Sequence, residues 1–210
     1  MRVRLWLGAL LALGACAEMT RRPPPEPPID LAGGLMVEPL PVIVDRAAAD
    51  FDRGGAALEG HPAATALAVA RLEWLGGEAR PGGRLAELPA SYLFGLQRGV
   101  REGRQALAIA PDAPTDSVVA ALLTASRAIT RGDTAAARAA LTGPDFRDTD
   151  RPVLDRLREP GPFPDTYLTL PAIREEVGRI IAAGRTDRRV ASEFFDTGVT
   201  TMGLSGQGAR

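Results

Sequence analysis

The chain has one cysteine, one histidine and no lysine among its 210 residues, so all 25 basic residues are arginine. A single cysteine excludes an intrachain disulfide framework. A single histidine excludes a metal or catalytic centre built on several imidazoles. Without lysine there is no phosphate-binding P-loop and no Schiff-base or pyridoxal chemistry. Aromatic residues make up 5% of the chain, and β-branched residues occur in a few short runs. A β-sandwich or barrel needs such residues at alternating positions throughout, so those folds are excluded. Long apolar runs are lacking too. Leu5 to Leu13 spans nine residues, where a membrane-crossing helix needs about 20.

What is present is a helical composition: 45% hydrophobic and 24% charged residues, rich in Ala, Leu and Arg. The length allows one domain or two small ones. The expected fold class is all-α, an irregular antiparallel bundle of helices and hairpins behind a disordered, proline-rich N-terminal stalk.

The N-terminus reads as an address. Arg2 and Arg4 form a positive segment, and Leu5 to Leu13 form an uncharged apolar one. This is the pattern of a secretory signal. It ends in Leu13-Gly14-Ala15-Cys16, which resembles the lipobox of bacterial lipoproteins. The resemblance implies cleavage after Ala15, diacylglycerol on the Cys16 sulfur and acylation of the new amino terminus. An ordinary secretory signal with an incidental cysteine is the competing reading. Several acyl chains, each burying methylenes at about 0.8 kcal/mol, hold a protein on a membrane nearly irreversibly. Ala17 rather than Asp follows the cysteine, which by family analogy directs the protein to the outer membrane, facing the periplasm. Cleavage removes Arg2 and Arg4 and no acid, leaving 23 arginines against 26 acids, a net of −3. That balance offers no basic surplus for nucleic acid.

The expected organisation is a signal peptide at 1–15, a lipidated N-terminus and linker at 16–41, a helical periplasmic domain at 42–197 and a flexible tail at 198–210. Arg21 to Pro28 holds five prolines in eight residues, a composition for extended polyproline II. It reads as a spacer, or else as a ligand for a partner's groove. Residues 29–41 are expected to be irregular. Helical spacing then starts in Val42 to Leu58 and is weakened by Gly54-Gly55. Pro62 suits a helix start, with Gly76-Gly77 as the stop. Pro89 or Ser91 opens a run to Ala110 in which Gly95, Gly99 and Gly103 recur every fourth residue. Such a stripe costs roughly 1 kcal/mol per glycine but lets another helix approach closely. Thr115 or Asp116 is expected to cap a helix through Arg131, and Asp133 or Thr134 a short partner through Leu141. Asp150 is expected to cap residues 152–158. Pro160, Pro162 and Pro164 are expected to forbid regular structure. Pro171 then opens a helix with Ile173, Val177, Ile180 and Ile181 on one stripe.

Ala106-Leu107 with Pro111 and Ala140-Leu141 with Pro144 lie 34 residues apart. With the turn at Gly132-Asp133 between them, residues 104–144 resemble tetratricopeptide-like helical hairpins. The Trp-x-x-Leu-Gly opening of that family is absent, and the period does not continue on either side. A repeat array and a single α-hairpin both remain open.

Few residues carry chemistry. His61 stands before Pro62 and reads as a surface or capping residue. Gly203-Leu204-Ser205-Gly206-Gln207 lacks the final glycine of a nucleophile elbow. Asp50-Phe51-Asp52-Arg53-Gly54-Gly55 begins like a calcium loop but puts Gly54 and His61 where oxygen ligands are needed. Asp145, Asp148 and Asp150 are interleaved with arginine. Glu175 and Glu176 read as solvated helix surface. No catalytic residue, cofactor, metal or small-molecule ligand is expected, and Cys16 as the lipid attachment point is the one assigned site. The expected function is that of a lipid-anchored, non-catalytic envelope adaptor binding a protein partner. The alternative is an enzyme acting on peptidoglycan or lipid through carboxylates, which requires a cleft holding a buried acid of raised pKa.

Overall fold

The computed structural model describes residues 26–34 and 38–202, the backbone alone over 185–202. The expected signal peptide at 1–15, Cys16 and the prolines at 23–25 lie outside the described residues. So does Gly203 to Gln207. Among the described residues the secondary structure is helical: α1 (Ile29–Ala32), α2 (Pro39–Asp50), a 3-10 stretch (Asp52–Leu58), α3 (Pro62–Glu78), α4 (Ala90–Ala106), α5 (Thr115–Thr130), α6 (Thr134–Ala140), α7 (Val153–Arg156) and α8 (Pro164–Met202). The one extended pairing is an antiparallel bridge between Ile109 and Phe146. No described helix is long and apolar enough to cross a membrane.

Four helices close a ring in which α2 packs on α3, α3 on α4, α4 on α8 and α8 on α2. The α5–α6 hairpin lies against the outer side of α3. Caught between ring and hairpin, α3 is buried nearly all round, from Thr65 and Ala66 to Trp74 and Leu75. Its small, apolar sequence is that of a central helix rather than a surface one.

Glycines set the close approaches. A Cβ on Gly95 would stand 2.7 Å from the Thr169 side chain, and one on Gly99 2.8 Å from Thr166 Oγ1. The stripe on α4 therefore receives α8, as its spacing predicts, while Gly103 faces Leu72 and Val69 of α3. Gly76 and Gly77 act the same way and do not end α3 as expected. A Cβ on Gly76 would meet Val100 at 2.6 Å and one on Gly77 would meet Thr115 at 3.2 Å. The helix passes through both and stops at Glu78, where the chain folds back and Leu85 N–H donates to the Glu78 carbonyl at 2.9 Å.

Other expectations are corrected. The folded body begins well before residue 42. The α1 segment buries Leu31 and Ala32 completely or nearly so, because Arg71 Nε reaches from α3 to the Leu31 carbonyl at 2.8 Å. Residues 53–55 adopt left-handed φ of 51°, 70° and 80°, turning the chain so that Phe51 meets Phe163 edge to face at 4.9 Å. No side chain of Thr115, Asp116 or Asp150 caps a helix: Pro114 and Pro152 hold those N-cap positions without a side-chain bond. Asp133 does cap α6, accepting from Ala136 N–H at 2.9 Å.

Pro171 lies inside α8 rather than at its start. Pro164 occupies the first position, where its fixed φ suits a helix. The Glu102 carboxylate of α4 then accepts from Asp165 N–H, Thr166 N–H and Thr166 Oγ1 at 3.2, 3.0 and 2.7 Å. These bonds and burial of Leu170, Ile173 and Val177 offset the roughly 3 kcal/mol that an interior proline costs. The helix also runs to Met202, beyond the expected start of a tail at 198. Of the expected stripe, Ile173 and Val177 are buried and Ile181 packs against the core, while Ile180 is exposed.

The 34-residue echo is a shared helix ending. Leu107 closes α4 with φ −98° and ψ 10°, and Leu141 closes α6 with φ −99° and ψ 10°. Both leucines are buried. The α5–α6 hairpin stands where it was expected. Its neighbours are α3 and α7, and neither side repeats it.

Candidate functional site

Although α3 is buried, it carries Arg71, Glu73 and Glu78. Charges so placed must be paired, and each is. Arg71 binds Asp50. Glu78 accepts from Arg84 Nη1 at 2.7 Å and from Arg84 N–H at 2.9 Å, while the Arg84 guanidinium lies 5.7 Å from the centre of the Trp74 ring. Glu73 takes both arms of Arg104, Nε on Oε1 at 2.8 Å and Nη2 on Oε2 at 2.7 Å.

Two of these acids are displaced from ordinary carboxylate behaviour. Burial raises the pKa of Asp50, with Arg71 pulling it back. Burial likewise raises that of Glu73 against the opposing bonds from Arg104. Glu73 also borders a hollow of about 350 Å³ between α3, α4 and the start of α5, whose other walls include Gln97, Arg101, Arg80 and Thr115. This is the cleft with a buried acid that an enzyme would need. Its chemistry is nevertheless tied up. Both Glu73 oxygens face one guanidinium, and Arg104 also donates through Nη1 to the Ala110 and Pro111 carbonyls at 3.2 and 2.9 Å. The pair thereby clamps the turn after α4 to the central helix. Arg80 is engaged as well, donating to Thr115 Oγ1 at 3.0 Å. No sequence signal marks Glu73 or Arg104, which stand 31 residues apart on different helices.

The residues singled out from the sequence are scattered. His61 is exposed and precedes α3, with Nδ1 2.8 Å from the Glu59 carbonyl. Asp50 serves Arg71, while Asp52 is exposed beside Arg53. Asp145 accepts from Ser117 Oγ. Glu176 pairs with Arg179, and Glu175 is exposed. Among the described residues no three His, Cys, Asp or Glu side chains gather as a metal site.

The outer side of the α4–α8 seam is different in kind. Arg98 of α4 pairs with Asp165 of α8 at 3.3 Å. Phe94 lies one turn before Arg98, and Leu168 one turn after Asp165. Because the helices run antiparallel, both fall on the same side of that ion pair. They are 67% and 70% exposed, the two most exposed large apolar side chains among the described residues. Nothing in the sequence singled out Phe94. No family model, curated protein or solved structure matches this chain.

Proposed function

We propose that this chain is a lipid-anchored protein of the bacterial envelope, held through Cys16 at the periplasmic face of the outer membrane. There it works as a non-catalytic adaptor for a protein partner. The observation that supports the adaptor role is the exposure of Phe94 and Leu168, each one turn from the Arg98–Asp165 bridge and on the same side of it. Two large apolar side chains beside a charged pair have the make-up of an interface core with a polar rim. The test places a photocrosslinking residue at Phe94 or Leu168 of the full lipoprotein in intact cells, with a mislocalised Cys16→Ala form as control. One reproducible envelope-protein adduct, lost when the other position is changed to Glu, is expected. Recovery of wall fragments or lipid with no protein adduct overturns the adaptor role.

A second reading has one observation in its favour. Glu73 is a buried acid of raised pKa beside a cleft, the position of a general acid acting on wall polymer or lipid, and this reading requires Arg104 to release one of its oxygens. Glu73→Gln tests it. A loss of wall or lipid turnover in cells, at unchanged protein level, supports the enzyme, and unchanged turnover removes it.

A further inference from the structure

We propose that the hollow between the end of α6, the loop 146–152 and the start of α7 binds a phosphoryl anion. This inference is independent of the adaptor reading. The hollow measures about 470 Å³, and its lining includes Arg138, Arg147 and Arg151. Its floor is apolar, formed by the buried side chains of Leu141, Phe146 and Leu154.

The arginines differ in their commitments. Arg151 donates to Glu159 at 2.7 Å and to the Asp155 carbonyl at 2.9 Å, so its charge is balanced. Among the described residues ten arginines have a carboxylate within 4.0 Å; Arg138 and Arg147 do not, nor do Arg46, Arg80, Arg101, Arg131 and Arg156, but of these only Arg138 and Arg147 line the hollow. Asp148 is the one acid among the residues that line the hollow, and Asp150 of the same loop does not line it. With Arg151 balanced by Glu159, the lining itself holds Arg138 and Arg147 against Asp148. The neighbouring hydroxyls are already used, with Thr142 Oγ1 donating to the Arg138 carbonyl and Thr149 Oγ1 to the Arg151 carbonyl. The donors left over are guanidinium forks.

The frame beneath them is fixed. Arg147 N–H donates to the Ala108 carbonyl at 2.8 Å, and Ala110 N–H to the Asp145 carbonyl at 2.8 Å. Arg156 holds the far side of the loop through the Arg151 carbonyl at 3.1 Å and Thr149 Oγ1 at 3.3 Å. Guanidinium forks match the paired oxygens of a phosphoryl group. An apolar floor strengthens that attraction by lowering the local dielectric. It also offers apolar surface to the acyl chains next to a phospholipid headgroup.

The test titrates the full chain carrying Cys16→Ala with inorganic phosphate, glycerol phosphate and a soluble short-chain phosphatidate, by calorimetry. All three are expected to bind, more weakly as salt is raised. The double variant Arg138→Ala/Arg147→Ala should weaken binding by about tenfold or more. An unchanged melting temperature would show that the double variant is folded, and Arg131→Ala should leave binding unchanged. Tighter binding of the phosphatidate supports the site and assigns it to a lipid headgroup. Equal binding of all three supports it and assigns it to soluble phosphates. No phosphate binding at millimolar concentration overturns the proposal. So does binding that the double variant leaves intact, or capture of an acidic peptide in place of every phosphate probe.

Discussion

Both oxygens of the Glu73 carboxylate are held by the single guanidinium of Arg104, at 2.8 and 2.7 Å. The side chains are 1% and 11% exposed. Removing the cation strands a buried charge, so Arg104→Ala is expected to cost about 3–5 kcal/mol. Urea unfolding measures it.

The pH dependence of this pair has a defined sign. Burial outweighs Arg104 and raises the Glu73 pKa above its ordinary 4.5. The folded state then binds a proton where the unfolded chain has lost it. The contribution of Glu73 is full below about pH 4.5 and falls as pH rises through the folded value. Asp50 shifts the same way, so the comparison must isolate Glu73. The stability of wild type minus that of Glu73→Gln is expected to fall between pH 4 and pH 8. A difference that grows with pH would mean that Arg104 outweighs burial.

Two glycine substitutions should have opposite effects. Gly99→Ala puts a methyl 2.8 Å from Thr166 Oγ1, disturbing the bonds between Glu102 and α8. The helix-propensity gain of about 1 kcal/mol should be outweighed, and the melting temperature should drop. Gly178 on α8 has nothing within 4 Å of a built Cβ. Gly178→Ala should stabilise by about 0.5–1 kcal/mol.

Glu102 caps α8 from another helix. Glu102→Ala is expected to cost about 1–2 kcal/mol, as loss of a capping carboxylate does. Hydrogen exchange should quicken at the Asp165 and Thr166 amides. Unchanged exchange there would refute the capping role.

The proposed lipid anchor has a direct readout. Cells fed a fatty-acid analogue should label the wild-type chain, and Cys16→Ser should abolish the label. Equal labelling of both would place the acyl chains elsewhere.

Local signals were legible wherever one residue decides one turn. Asp133 caps α6, and Gly132 takes the left-handed conformation that ends α5. The glycine stripe on α4 was legible as a place of close approach, though not its occupant. Gly76-Gly77 read as a stop because an isolated helix would end there. Val100 and Thr115, packed against those positions, turn them into contact points. Pro171 read as a start for the same reason, until the Glu102 carboxylate held the turn ahead of it in helical form. Phe94 carried no signal in the sequence, because its exposure depends on α8 leaving that side of α4 open.

From the sequence by itself come the all-α class, the expectation of a secretory address on the lipobox-like segment, and the chemistries that the absence of lysine and the single cysteine and histidine exclude. These follow from residue identity and near-neighbour periodicity, which need no distant partner. The tertiary structure alone decided which acids are paired, which glycines are contacts and which arginines are left facing a hollow. Burial and ion pairing join residues tens of positions apart, as Glu73 and Arg104 are, and one-dimensional spacing carries no record of such meetings.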